Sequence, residues 1–187
     1  MDHRPEIGRL FIAVPLADSI QNAIGDWMNE HKKQLPFRKW VHTSDLHITL
    51  QFLGDTPIQK VPRLHEELQK AVEGFGSFGL EVRGLGTFGR PAVPSVLWTG
   101  VSGQTDRLKD LHKQVVSATT RLGFKPEERA YKPHITLGRS FQGENFLSLP
   151  QLDSNLSFGE WSPESFVIYR TRMGRNPMYE VIERIML

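Results

Sequence analysis

The sequence predicts an α+β fold with antiparallel sheets. Three observations carry that expectation. Strand-like segments come in runs instead of alternating one for one with helices, as a doubly wound parallel sheet would require. Several neighbouring strand candidates read as hairpins. No Pro/Ser-rich or charged linker divides the 187 residues, so residues 1–187 are expected to form a single domain, with any two lobes tightly joined and intertwined.

The elements follow in order. Residues 9–16 (RLFIAVPL) are short, apolar and rich in β-branched side chains, the pattern of a buried strand. Asp18 or Ser19 is placed to cap a helix whose face is Ile20, Ala23, Ile24, Trp27 and Met28, with Pro36 closing it. Residues 39–41 and 46–53 are strand candidates, the latter ended by Gly54-Asp55. Pro57 opens a second helix with the stripe Val61, Leu64, Leu68, Ala71 and Val72. Residues 74–89 place apolar side chains between glycines, which reads as a strand with bulges or close backbone approaches. Residues 96–101 form a further strand. A third helix covers 105–122 with Leu108, Leu111, Val115 and Ala118 inward and Gly123 beyond its end. Residues 134–138 are a strand, and 165–172 with 179–186 make a terminal hairpin.

Composition narrows the function classes. Hydrophobic residues at 39% and charged residues at 24% can build a core, so a disordered chain is excluded. A net charge of +2 suits an anionic substrate and is far from that of a histone-like binder. The absence of cysteine rules out disulfides, thiolate metal sites and thiol nucleophiles. No apolar run reaches the ~20 residues of a membrane span, and the N-terminal region lacks a signal-peptide layout. The expected compartment is the cytoplasm, with no membrane partner.

The most informative feature is a repeat. His47-Ile48-Thr49-Leu50 recurs identically as His134-Ile135-Thr136-Leu137, 87 residues away. In a strand, alternation turns His47 and Thr49 to one face and Leu46, Ile48 and Leu50 to the other, and the second copy behaves alike. A single His-x-Thr in a strand is most often structural, but chance explains a repeat at corresponding strand positions poorly. Two such strands facing one cleft would supply two imidazoles and two hydroxyls. One neutral imidazole can accept a proton, one imidazolium can donate one, and the hydroxyls can hold phosphate oxygens. The chemistry that fits is in-line displacement at a phosphodiester, with the histidines on opposite sides of phosphorus. A zinc pair is the competing reading. Against it, neither copy has a His at i+4 or an acidic cluster, and Asp45 and Asp55 flank the first copy only. No metal and no cofactor is expected.

With those residues in hand, the chain resembles the 2H phosphoesterase superfamily and, within it, the bacterial RNA 2′,3′-cyclic phosphodiesterases of the 2′-5′ RNA ligase-like (LigT-like) family. The resemblance rests on residues 9–14 (RLFIAV), Trp40-Val41, residues 46–54 (LHITLQFLG) and residues 133–139 (PHITLGR), in family order. It implies a bilobal fold with pseudo-twofold symmetry around a central cleft. It also implies a metal-independent hydrolase that opens an RNA-terminal or nucleotide 2′,3′-cyclic phosphate to a 2′-phosphate and acts as a monomer. The family roles make His47 the proton donor to the leaving 3′ oxygen and His134 the acceptor that activates water. Thr49 and Thr136 bind phosphate, and Phe52 and Arg139 flank the nucleobase. The residues alone do not assign donor and acceptor, because the two motifs are nearly symmetric. Some family members join RNA ends in a 2′-5′ linkage, the reverse chemistry. Two other readings stay open. One is a different phosphoester, such as an ADP-ribose cyclic phosphate or a 2′-5′ oligonucleotide. The other is a noncatalytic RNA-binding protein on the same fold.

Strict alternation places Phe52 opposite His47, so contact with a base needs a strand bend near Gly54; core packing is the alternative. His3 has no motif around it, and His31, His65 and His112 are expected on helix surfaces. His42 is expected in a loop near the first motif, with approach to the cleft the alternative, and Trp40 and Trp98 in the core or cleft wall. Arg170 and Arg172, with Arg175 following in the turn, are expected on a solvated sheet edge, a basic rim for an RNA phosphate backbone being the alternative. The Gly-rich residues 84–89 open no helix and are not a phosphate loop.

Overall fold

A computed structural model of the chain describes residues 4–187; His3 lies outside them. The first strand, β1 (Ile7–Pro15), leads to helix α1 (Asp18–His31), strand β2 (Phe37–Trp40), a 3₁₀ turn (Thr43–Asp45) and strand β3 (His47–Pro57). Helix α2 (Val61–Ala71), the hairpin β4 (Leu80–Arg90) and β5 (Val93–Gly103), helix α3 (Thr105–Arg121) and β6 (His134–Phe141) follow. Strands β7 (Ser157–Trp161), β8 (Ser165–Thr171) and β9 (Tyr179–Met186) complete the chain.

The strands form two antiparallel sheets, with orders β3-β1-β8-β9 and β2-β6-β5-β4-β7. The chain crosses between them repeatedly, and the helices cross too: α1 packs on β7 of the other sheet, and α3 on β3 and α2. The expected α+β class and antiparallel pairing are what the structure shows. Each histidine motif opens a strand, β3 or β6, that pairs with a strand leading into a helix, β1 into α1 and β5 into α3.

Burial explains the sequence pattern. In β1, Leu10, Ile12 and Val14 enter the main core, while Phe11 and Ala13 join a second cluster with Val167 and Tyr169 on the opposite face. A strand covered on both faces reads as an unbroken apolar run. The helix stripes behave as expected, with Ile20, Ile24 and Met28, then Leu64 and Leu68, then Leu108, Leu111 and Val115 all buried.

Several expectations need correction. Neither Asp18 nor Ser19 caps α1; Ala17 is the cap residue and no side-chain bond is made there. Helix α1 stops at His31, before Pro36. Strand β3 does not end at Gly54-Asp55 but continues to Pro57, because Gly54 takes a left-handed conformation (φ 71°) that keeps the strand paired through a register shift. A 3₁₀ turn intervenes before α2. The glycine-rich strand begins at Leu80, with a bulge at Gly84 (φ 81°). Strand β7 was not anticipated. Arg170 is not on an edge, since β8 lies between β1 and β9, and Arg172 stands just beyond the strand; the two side chains pair with Glu6 and Glu180.

Candidate active site

A cleft of about 730 Å³ lies between the sheets, lined by His47, Thr49, His134 and Thr136 together. Leu46, Ile48 and Leu50 on one side, and Ile135 and Leu137 on the other, anchor the two strands in the core. The repeat thus delivers both of its halves to one cavity.

The two imidazoles are held alike. His47 Nδ1–H donates to the Asp45 carbonyl at 2.6 Å, and His134 Nδ1–H donates to the Lys132 carbonyl at 2.8 Å. In each case the acceptor stands two residues upstream. That bond fixes the tautomer and makes Nε2 the unprotonated, accepting nitrogen. At His47 the Thr49 hydroxyl donates to Nε2 at 3.1 Å.

Their surroundings differ. His47 sits among Phe11, Tyr179 and Tyr169, with ring centroids 5.0, 5.4 and 5.8 Å away. Burial lowers its pKa to about 4, against the opposing pull of the Asp45 carbonyl and carboxylate; Arg139 and His134 lower it further. The free site therefore holds His47 neutral at pH 7. His134 touches the edge of one ring, Phe88, at 4.8 Å. Burial also pushes the Tyr169 hydroxyl up to about 12 and raises Tyr179, so both phenols stay neutral.

Phe52 and Arg139 both line the cleft, although simple alternation points Phe52 away. The reason is a pair of equivalent bulges. Leu50 is skipped in the β1–β3 register, and Leu137 in the β5–β6 register, each three residues after its histidine. The extra residue reverses the phase of the strand. Gln51 then turns inward and Phe52, 64% exposed, turns to the cleft. The bend lies at Leu50, before the Gly54 position anticipated. The next residue after Arg139, Ser140, is left-handed (φ 59°), so Phe141 returns to the core.

Residues that sequence reasoning missed complete the site. Asp45, buried, accepts the Met178 and Tyr179 N–H groups at 2.8 and 3.0 Å and so ties the β8–β9 turn to the first motif. The Tyr131 hydroxyl donates to the Thr49 carbonyl at 2.8 Å, joining the approach to the second motif to the first. No local signal marks either contact, since each spans long sequence separations. His42 lies between β2 and the 3₁₀ turn, as expected, and from there lines the cleft and accepts the Ser44 N–H on Nδ1 at 3.1 Å. His112 is not a free surface group: its ring stacks on Tyr131 at 3.9 Å beside an adjoining cavity. His31 stacks on Trp27, and His65 pairs with Glu183. Trp40 is cleft wall, while Trp98 packs against Phe88. Among the described residues, no three His, Asp or Glu side chains converge in a metal-binding group.

The fold and the paired motifs define a two-histidine phosphoesterase architecture. The family model of the 2′-5′ RNA ligase superfamily matches residues 16–174, and the chain belongs to that superfamily. It is 39% identical to an RNA 2′,3′-cyclic phosphodiesterase of Geobacillus stearothermophilus over 92% of this chain; the chain spans 55% of that relative's length. It is 32% identical to the Bacillus subtilis protein of the same name over 95% of both chains. Among solved structures, Escherichia coli LigT complexed with 3′-AMP superposes with a TM-score of 0.79 at 26% identity, covering 97% of this chain and 99% of that one. TT0787 of Thermus thermophilus gives 0.77 at 26%, covering 96% and 97%.

Proposed function

We propose that this chain is an RNA 2′,3′-cyclic phosphodiesterase that opens a terminal cyclic phosphate to a 2′-phosphomonoester without a metal. The observation that carries the reading is the convergence of both His-x-Thr pairs on one cleft, each histidine oriented through Nδ1 so that Nε2 is the unprotonated nitrogen. The names of the curated relatives support the same activity. On this reading the described residues, 4–187, would act as one unit of two intertwined lobes. Both histidines belong to a single chain, so a monomer suffices.

Water attacks phosphorus in line with the 3′ oxygen. His134 takes a proton from the water as the new P–O bond forms. The P–O3′ bond breaks, and His47 gives a proton to O3′, leaving a 3′ hydroxyl and a 2′-phosphate. Thr49 and Thr136 donate to the non-bridging oxygens, where charge accumulates. His47 is neutral in the empty site and is charged by the anion the substrate brings. The cyclic phosphate offsets the desolvation that suppresses the imidazolium. Phe52 and Arg139 flank the base. With a 5′ hydroxyl in place of water, the same in-line displacement would form a P–O5′ bond as P–O3′ breaks and join two RNA ends in a 2′-5′ linkage.

Phosphorus NMR of a 2′,3′-cyclic nucleotide incubated with the protein and EDTA tests the reading. The 2′-monophosphate is expected, and its formation falls by about 10²-fold or more in His47→Ala and in His134→Ala. Folded variants that retain turnover would refute the two-histidine mechanism. Unchanged RNA binding in a protein that never turns over would instead favour a noncatalytic role.

A further inference from the structure

Around the cleft the positive charge exceeds what a cyclic mononucleotide can use. Arg38, Lys39, Arg139 and Arg175 all line it. None has a carboxylate within ion-pair distance among the described residues. The one acidic side chain in the lining, Asp45, is buried and occupied by two backbone N–H groups. A terminal cyclic phosphodiester carries a single negative charge, so most of this field has no partner in the terminal nucleotide.

The placement of two of these cations costs stability. Lys39 and Arg139 stand directly opposite each other on β2 and β6. Like charges directly opposite each other destabilise a sheet pair. An anionic ligand between them would remove the cost. The cavity on the other side of Thr49 and His134 is different: Lys125, Arg129 and Lys132 share its wall with Glu127 and Glu128, and Arg129 is paired with Glu127 at 3.2 Å. That wall carries carboxylates beside its cations, whereas the β2 side has none but the occupied Asp45.

Resting on the proposed activity, we infer that the enzyme is built for an oligonucleotide whose strand leaves the cleft over β2 and the β8–β9 turn. Arg38 and Arg175 would hold phosphates upstream of the cyclic end. The two positions are donated by different sheets, so the strand is gripped from both lobes. Met173, 75% exposed on the same turn, offers an apolar surface to an unstacked base.

The test compares kcat/KM for a trinucleotide ending in a 2′,3′-cyclic phosphate with that for the cyclic mononucleotide, in the wild type and in R38A/R175A. The wild type is expected to favour the trinucleotide by about tenfold or more at low salt. With two phosphates held, trinucleotide affinity falls about 25-fold over a tenfold rise in salt. In the double variant the trinucleotide-to-mononucleotide ratio collapses toward one. A wild-type ratio of one, with the mononucleotide turned over, overturns the strand surface and leaves the two-histidine reading standing. A full ratio in the double variant overturns the assignment to Arg38 and Arg175. A cyclic nucleotide bearing a 5′-diphosphate is the third arm: if it matches the trinucleotide, the site reads compact charge and the strand proposal fails. Loss of turnover on every substrate refutes the underlying activity instead.

Discussion

Asp45 grips His47 from behind. Its carbonyl accepts His47 Nδ1–H at 2.6 Å, while its carboxylate accepts two N–H groups of the β8–β9 turn, at Met178 and Tyr179. One buried residue therefore sets the tautomer of the first histidine and seats the turn that walls the cleft. Asp45→Ala leaves two partly buried donors without an acceptor and is expected to cost about 1 kcal/mol or more, read from the urea midpoint. Asp45→Asn keeps one acceptor oxygen and is expected to lose less. In both, KM should rise, because cleft-lining residues lose their anchor. Unchanged stability and KM would show that the turn holds itself in place.

The aromatic surround of His47 makes folding stability depend on pH. Its folded pKa is lowered to about 4 against 6.5 for the unfolded chain, so the unfolded state binds more protons between those values. Stability is then fully present above pH 6.5 and is lost as pH falls toward 4. At 1.36 kcal/mol per unit, the loss reaches up to about 3 kcal/mol. Urea titrations of wild type and His47→Gln at pH 7.5 and 4.5 isolate it: the variant should lose less on acidification. An equal loss in both proteins would place the acid sensitivity elsewhere.

Substrate binding should draw in a proton if His47 is the donor. The inactive His134→Ala variant can be titrated with a cyclic nucleotide at pH 6–7 in buffers of different ionisation enthalpy. Uptake of a fraction of a proton is expected. Binding with no uptake would mean that His47 stays neutral and serves as acceptor, with His134 the donor.

Phe52 contributes little to the core, being 64% exposed, yet the bulge at Leu50 aims it at the cleft. Phe52→Ala should leave thermal stability nearly unchanged. If the ring stacks on the base, the substitution costs about 1–3 kcal/mol of binding, a rise of roughly 5- to 150-fold in KM. A stability loss without a KM effect would assign the side chain to packing against Phe11, 5.8 Å away.

Gly86 lies against the face of Trp98. A Cβ built there stands 2.2 Å from the indole, so Gly86→Ala must displace the ring. About 1–3 kcal/mol of destabilisation is expected. Trp98 packs on Phe88, which in turn touches His134, so the shift should also change tryptophan fluorescence and lower turnover. Wild-type fluorescence in this variant would show that the strand, not the ring, moves.

The sequence by itself determined the strand that carries each motif, the apolar stripe of each helix and the face shared by His47 with Thr49 and by His134 with Thr136. These are consequences of periods of two and 3.6 acting over a few residues, and the identical tetrapeptides made the two halves comparable. Tertiary structure decided the rest. Phe52 faces the cleft because pairing with β1 expels Leu50 from register, which no property of residues 46–53 in isolation requires. Asp45 meets Tyr179, and Tyr131 meets Thr49, across 134 and 82 residues. The two histidines differ because one is enclosed by rings from β1, β8 and β9 and the other is not, although their local sequences match. Solvent exclusion is a property of what packs around a side chain, and a symmetric motif cannot encode an asymmetric surround.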